Sequence, residues 1–153
     1  MNAVSIRALE ERDLDAALAI VEAARPLSSH WPRESYLPAP DDVLRSWVAV
    51  CNGAVAGVLL AGYAGDDVEI LNLAVADAAR RHGVGRALVR VALDEAIARG
   101  LTRAFLEVRE SNAGARAFYA RLGFTDINRR RGYYRDPEED GLVLGQTLPG
   151  RAG

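Results

Sequence analysis

Glu107 stands inside an apolar, strand-like run, Phe-Leu-Glu-Val-Arg, where a carboxylate is out of character. Held there, it is either on a solvated face or in a cleft that raises its pKa and readies it to take a proton. Glu69 opens a second such run, as a surface charge, a base or a holder of water. Between the two carboxylates lies Arg80-Arg81-His82-Gly83-Val84-Gly85-Arg86. Two glycines one residue apart at the mouth of a helix let a ligand approach the backbone without meeting a Cβ. The first N–H groups of a helix have no partner inside it and point outward with the positive end of the dipole, a ready site for phosphate. Tyr119 falls on the apolar face of a later helix, where the plain reading is a core tyrosine with a satisfied hydroxyl.

Other chemistries lack their parts. Cys51 is the single cysteine, which rules out an internal disulfide or a cysteine-based metal cluster, and its strand-like setting suits a small buried side chain. His30 and His82 are far apart, so no metal site is expected. The RRRGYY stretch, Arg129 to Tyr134, resembles an RNA-binding patch in composition. In a chain of net charge −2 we expect instead a solvated or peptide-contacting loop, and no nucleic-acid partner.

These residues need a frame. Val4, Ile6 and Ala8 alternate as in a strand, and Asp13 is placed to cap a helix carrying Leu14, Ala17, Leu18 and Val21. A loop over residues 25–40 holds His30, Trp31 and Tyr36, which either line a cleft or pin the loop to the core. Asp41 to Arg45 reads as a further helical turn. Ser46 to Gly65 is uncharged for 20 residues, the length of a membrane span, but Asn52-Gly53 in its middle is a hairpin turn. Two strands are therefore expected, near Trp47–Cys51 and Ala54–Tyr63. Next come a strand over Val68–Val75 and a helix from Gly83 to Arg99, apolar nearly all round and stopped by Gly100. The strand Arg103–Arg109 completes a βαβ unit, so these two strands run parallel. A helix capped by Ser111 or Asn112 ends at Leu122-Gly123, with Ala115, Phe118, Tyr119 and Leu122 inward. A strand near Phe124–Ile127, a basic-aromatic loop and a strand near Leu142–Gln146 close a mixed α/β fold. We expect one domain over residues 1–148 and a loose tail over 149–153. All 19 basic residues are arginine, which fits a GC-rich coding bias. The N-terminus has no signal-peptide core, and a cytoplasmic protein is expected.

Taken in order, NLAV, RRHGVGRALV, LEVRESNAGARAFYARLGF and RRRGYY resemble the GNAT family of acetyl-CoA-dependent N-acetyltransferases, and within it the RimI type, which acetylates the N-terminal amine of a small-subunit ribosomal protein. The resemblance covers Glu69 to Leu144. Before it, the chain has SSHWPRESYLPAP where that type has Phe-Pro-Trp-Ser. The resemblance implies a mostly antiparallel sheet with one splayed parallel pair and helices on both faces. It implies that Arg80, Arg81, His82, Gly83, Val84, Gly85 and Arg86 grip the CoA pyrophosphate, and that the backbone of Leu73, Ala74 and Val75 holds the pantetheine arm. Asn112 would also contact CoA, Glu107 would be the general base and Tyr119 the general acid for the leaving sulfur. No metal is implied. An α-amine is about 10–15% neutral at pH 7 against about 0.04% for lysine, so one carboxylate suffices most easily for a protein N-terminus. The alternatives are a small-molecule amine or antibiotic as acceptor, and a non-catalytic acyl-CoA sensor.

Overall fold

The computed structural model describes residues 3–24, 30–80 and 82–149. The alternating residues at the start form β1 (Val4–Ala8), an edge strand paired antiparallel with β2 (Leu44–Cys51). Asp13 precedes α1 (Leu14–Ala23) but its side chain does not cap that helix. Its carboxylate accepts the Glu10 N–H at 2.8 Å and is gripped by Arg7 at 2.6 and 2.8 Å. The Arg7 guanidinium holds the Asp13 pKa below the usual carboxylate range. The expected cap is therefore a tie between β1 and the turn that leads into the helix.

Asn52 and Gly53, with φ of 53° and 76°, join β2 to β3 (Ala54–Ala64) in the tight turn that their dipeptide favours. The helical turn expected at Asp41–Arg45 is absent. The Asp41 carboxylate accepts the Val43 N–H at 3.1 Å, a local bond that imitates a helix start, while Leu44 and Arg45 already pair with β3. A short 3-10 turn lies earlier, at Arg33–Tyr36.

The remaining elements are β4 (Asp67–Val75), α2 (Val84–Ala98), β5 (Arg103–Arg109), α3 (Ala113–Arg121), β6 (Thr125–Tyr134) and β7 (Glu139–Thr147). They complete a seven-stranded sheet in the order β1-β2-β3-β4-β5-β7-β6, antiparallel throughout except between β4 and β5. One core cluster joins α2 and α3 to one face through Leu88, Ala92, Leu106 and Tyr119; the other joins α1 to the opposite face through Leu14, Tyr36, Val58 and Leu60. Helix α2 is not covered all round: Arg86, Arg90, Asp94 and Ala98 make one exposed edge.

Two features depart from the expected layout, and both bear on the site. First, RRRGYY is not a loop but most of β6, an edge strand whose residues Thr125 to Arg131 are all exposed. With both faces wet, an edge strand shows no alternation, so composition imitates a loop. Second, β4 carries a bulge. Ile70 pairs with Ala61 and Asn72 with Leu60, which leaves Leu71 over. A bulge bends its strand and shifts the side-chain phase. Val68 and Ile70 therefore face the α2 side, whereas Asn72 and Ala74 lie on the α1 side. Pairing with β5 ends there, at Ile70 and Leu106, and the parallel pair splays.

Candidate active site

Beyond Ile70, β4 remains paired to β3 as far as Val75 but, among the described residues, has no strand on its other side. Half of the peptide groups of Leu73, Ala74 and Val75 are thus left for a ligand to pair with, in strand fashion. Helix α2 opens onto the same gap. Its first helical bond runs from the Ala87 N–H to the Gly83 carbonyl at 3.0 Å, so the N–H groups of Val84, Gly85 and Arg86 precede the ladder. Among the described residues no side chain caps this end, and its first turn holds no acidic residue.

The two glycines have different reasons. Gly83 has φ of 78°, and a Cβ there would meet nothing within 4 Å. It serves the turn and leaves open space before the helix. Gly85 is crowded instead: a Cβ would come within 3.2 Å of the Phe118 ring. Its lack of a side chain lets α3 pack against the start of α2, and its backbone lines the same gap as that of Gly83.

The gap is a groove of about 700 Å³ lined by Leu73, Val75, Gly83, Gly85, Phe118 and Tyr119, and it continues into a hollow of about 560 Å³ bounded by Ala74, Ser111 and Asn112. Arg80 lines both hollows, and Arg86 and Arg121 line the larger. Arg86 and Arg121 have no carboxylate partner among the described residues. A groove with an uncapped helix start and unpaired guanidinium groups suits an anion of several charges. The sequence alone does not single out Arg121. Its spacing from Tyr119 and Phe118 on one helix is the available signal, but nothing local says which end of α3 faces the gap. His82 lines a different hollow, with Val4, Cys51 and Ala54, and Arg81 lies outside the described residues.

Asn112 borders the groove, yet its Oδ1 accepts the Ala115 N–H at 3.1 Å and caps α3, worth about 1 kcal/mol. Helix α3 then brings Tyr119 into the core, packed edge-on against Phe124 at 5.5 Å. The Tyr119 hydroxyl has no hydrogen-bond partner among the described residues. Burial pushes its pKa well up, so it stays protonated.

Glu107 is the first residue of β5 past the last β4 partner, which puts it at the fork. Leu106 and Val108 pack on the α2 and α3 side with Tyr119, so Glu107 points to the other face of the sheet. The two side chains thus flank the fork from opposite faces rather than sharing one wall. Glu107 is bound by Arg130 from β6 at 3.0 Å, and a hydrogen bond to Glu107 raises the Tyr133 hydroxyl pKa. Glu69 pairs with Phe105, two residues before Glu107 on the same face. Burial, then the Glu107 charge, raises the Glu69 pKa, against the lowering pull of Arg130. The buried Tyr36 hydroxyl accepts from Asn72 at 3.0 Å and pins the 30–40 loop to the bulged strand. His30 is exposed and Trp31 packs against the α1-side core.

A clamp braces the β5 side of the fork. Arg109, 9% exposed, donates to the Pro137 and Arg135 carbonyls at 2.9 and 3.0 Å and to Glu139 at 3.1 Å. Glu139 also accepts from Ser111, at 3.1 Å from the backbone and 3.0 Å from the hydroxyl. The turn of the β6–β7 hairpin is thereby fastened to the loop that starts α3. Among the described residues, no group of three His, Cys, Asp or Glu side chains could hold a metal ion, and no helix is long and apolar enough to cross a membrane.

Residues 7–124 match the family model described as "Acetyltransferase (GNAT) family". The chain is 34% identical over 146 residues to the "[Ribosomal protein bS18]-alanine N-acetyltransferase" of Escherichia coli K12, covering 94% of this chain and 96% of that one. It is 39% identical over 101 residues to "N-alpha-acetyltransferase RimI" of Mycobacterium tuberculosis, across 60% of this chain and 62% of that one. The crystal structure of the Escherichia coli ribosomal-protein-S18-alanine N-acetyltransferase superposes with a TM-score of 0.85 at 32% identity, covering 99% of this chain and 97% of that one. Arabidopsis thaliana NAA60 in complex with acetyl-CoA shares the fold, with a TM-score of 0.82 at 18% identity over 97% of this chain and 100% of that one.

Proposed function

The chain belongs to the acetyltransferase (GNAT) family and is an N-acetyltransferase, and from that premise we propose that it transfers the acetyl group of acetyl-CoA to the N-terminal α-amine of a protein. The observation that carries this reading is the fork itself. A groove with free backbone edges opens on one side of the sheet, and the carboxylates Glu69 and Glu107 face the other. A thin gap between strands is where an acyl group held from one side can be reached by an amine from the other.

Acetyl-CoA supplies the acetyl group as a thioester. On the groove side, the N–H groups of Val84, Gly85 and Arg86, with Arg80, Arg86 and Arg121, would hold its phosphates. The open edge of Leu73, Ala74 and Val75 would pair with its amides, and Asn112 would border it. Gly83 would leave room for the approach of the same phosphates, while His82 lines the neighbouring hollow.

On the acceptor side, Glu107 would take the proton of the incoming ammonium, directly or through a water. About a tenth of an α-amine is already neutral at pH 7, so the demand on this carboxylate is modest. Tyr119 would present its O–H to the departing sulfur. Its raised pKa fits a fixed hydrogen-bond donor that yields its proton late, because burial penalises the phenolate. No nucleophilic side chain is needed, in keeping with Cys51 lying away from the fork.

The Escherichia coli relative is named for an alanine of ribosomal protein bS18. We take an alanine-first protein N-terminus as the first acceptor to try, and a cytoplasmic one, since ribosomal proteins are made there. Incubation with acetyl-CoA and short peptides of varied first residue, read by mass spectrometry, tests this directly. Acetylation of α-amines with a preference at the first residue is the expected result. Acetylation of small amines alone would move the acceptor to that class, and binding of acetyl-CoA without any turnover would leave a sensor.

A further inference from the structure

The carboxylate proposed to receive the acceptor is already occupied by a cation of the chain itself. The Arg130 Nε lies 3.0 Å from Glu107 Oε1, and the two side chains differ in exposure: 50% for Arg130, 21% for Glu107. The guanidinium sits on the outside and the carboxylate beneath it. An ammonium group approaching from solvent competes with Arg130 for that oxygen. We propose that Arg130 is a displaceable counter-ion, an internal stand-in for the acceptor's ammonium that sets the charge an acceptor must carry. This role rests on the acceptor being a protein α-amine that meets Glu107.

Three observations bear on it. Arg130 belongs to an edge strand with wet faces, so its side chain has solvent to swing into. Glu69 from β4 and Tyr133 and Tyr134 from β6 also face Glu107, and the Arg109 guanidinium, two residues on along β5, lies over the Tyr134 ring at 4.5 Å. Whereas Arg109 is held by Glu139 and by the Arg135 and Pro137 carbonyls, Arg130 is the cation that touches Glu107 and lowers the Glu69 pKa. Its neighbour Arg129 is engaged elsewhere, with Glu110 and Asp140 both at 2.9 Å, and is not free to replace it. The arriving ammonium exchanges one positive charge for another, so the carboxylates are never left bare in a partly desolvated place. A neutral group cannot make that exchange. The acetylated product is an amide without charge, and it has no hold on Glu107 against the returning guanidinium.

The test is a binding measurement that needs no turnover. A short alanine-first peptide with a free α-amine, and the same peptide Nα-acetylated, are titrated calorimetrically into the coenzyme A-bound protein at pH 7. Wild type, Arg130→Gln and Arg130→Lys are compared. A half-exposed ion pair is worth little, so removing the competitor should tighten the free-amine peptide about two- to fivefold. Arg130→Lys should bind it as wild type does, and the acetylated peptide should bind all three alike. Unchanged or weaker binding of the free amine to Arg130→Gln overturns the proposal. Equal tightening of both peptides also overturns it, since Arg130 would then be a plug of bulk rather than of charge. If the amine peptide tightens as expected but wild type acetylates no peptide, the counter-ion stands and the acceptor reading falls. No binding to any variant sinks both.

Discussion

The two sides of the fork are built in opposite ways. The groove side is made of backbone and close packing: an uncapped helix start, a strand edge without a partner, and Gly85 against Phe118. Most of it comes from one continuous stretch, Leu73 to Arg86. The acceptor side is made of side chains from separate strands, Glu69 from β4, Glu107 from β5, Arg130 and Tyr133 from β6, and it keeps two carboxylates close together in a half-buried place. The contrast is between fixed dipoles, which cost nothing further once the fold exists, and charges whose nearness the fold must sustain. A ligand shared by a whole family suits the first, and an acceptor that varies among relatives suits the second.

The sharpest way to break this comparison is at Tyr119, which reaches the fork from the groove side. Tyr119→Phe should lower kcat by about 100-fold or more while leaving acetyl-CoA affinity within about twofold. Rapid-quench turnover and calorimetry together check it. Turnover equal to wild type would return Tyr119 to a purely core role.

Next in size is the packing contact. Gly85→Val should drive α2 away from Phe118, at a cost of about 1–3 kcal/mol, and weaken acetyl-CoA binding about tenfold. The acceptor peptide's affinity for the coenzyme-bound protein should move far less. A loss confined to the acceptor would contradict the division between the two sides.

The smallest effect lies in the acceptor-side charges. Glu69 has its pKa raised, so between the unfolded value and that raised value the native state holds more protons than the unfolded one. Stability contributed by this group is therefore highest below the ordinary glutamate value near 4.5 and falls as pH rises through the window. Glu69→Gln should melt about 1–2 °C above wild type at pH 7.5, and the difference should vanish near pH 4. A gap that widens on acidification would show that Glu69 is held by a favourable partner instead.

The same division explains what can be read from one dimension. Strand β5 is legible at its observed bounds, Arg103–Arg109, as are the stop of α2 at Gly100 and the hairpin at Asn52-Gly53, because each depends on local periodicity or on a φ that few residues adopt. The groove is legible for a like reason: its parts are neighbours in sequence. Strand β6 is not, since pairing with β7 alone makes it a strand and its exposed residues carry no alternation. Asp41 misleads because its bond to the Val43 N–H is the first step of more than one structure.

By itself the sequence determined the βαβ unit, the turn with its two glycines ahead of α2, and the presence of a carboxylate and a tyrosine at telling positions. Only the tertiary structure decided that a bulge at Leu71 ends the β4–β5 pairing at Ile70, so that Glu107 and Tyr119 face the opening from opposite sides. It alone brought Arg130 onto Glu107. Local conformational preferences act over a few residues and are written in order along the chain. Strand register and the meeting of charges from separate strands are settled by packing between distant segments.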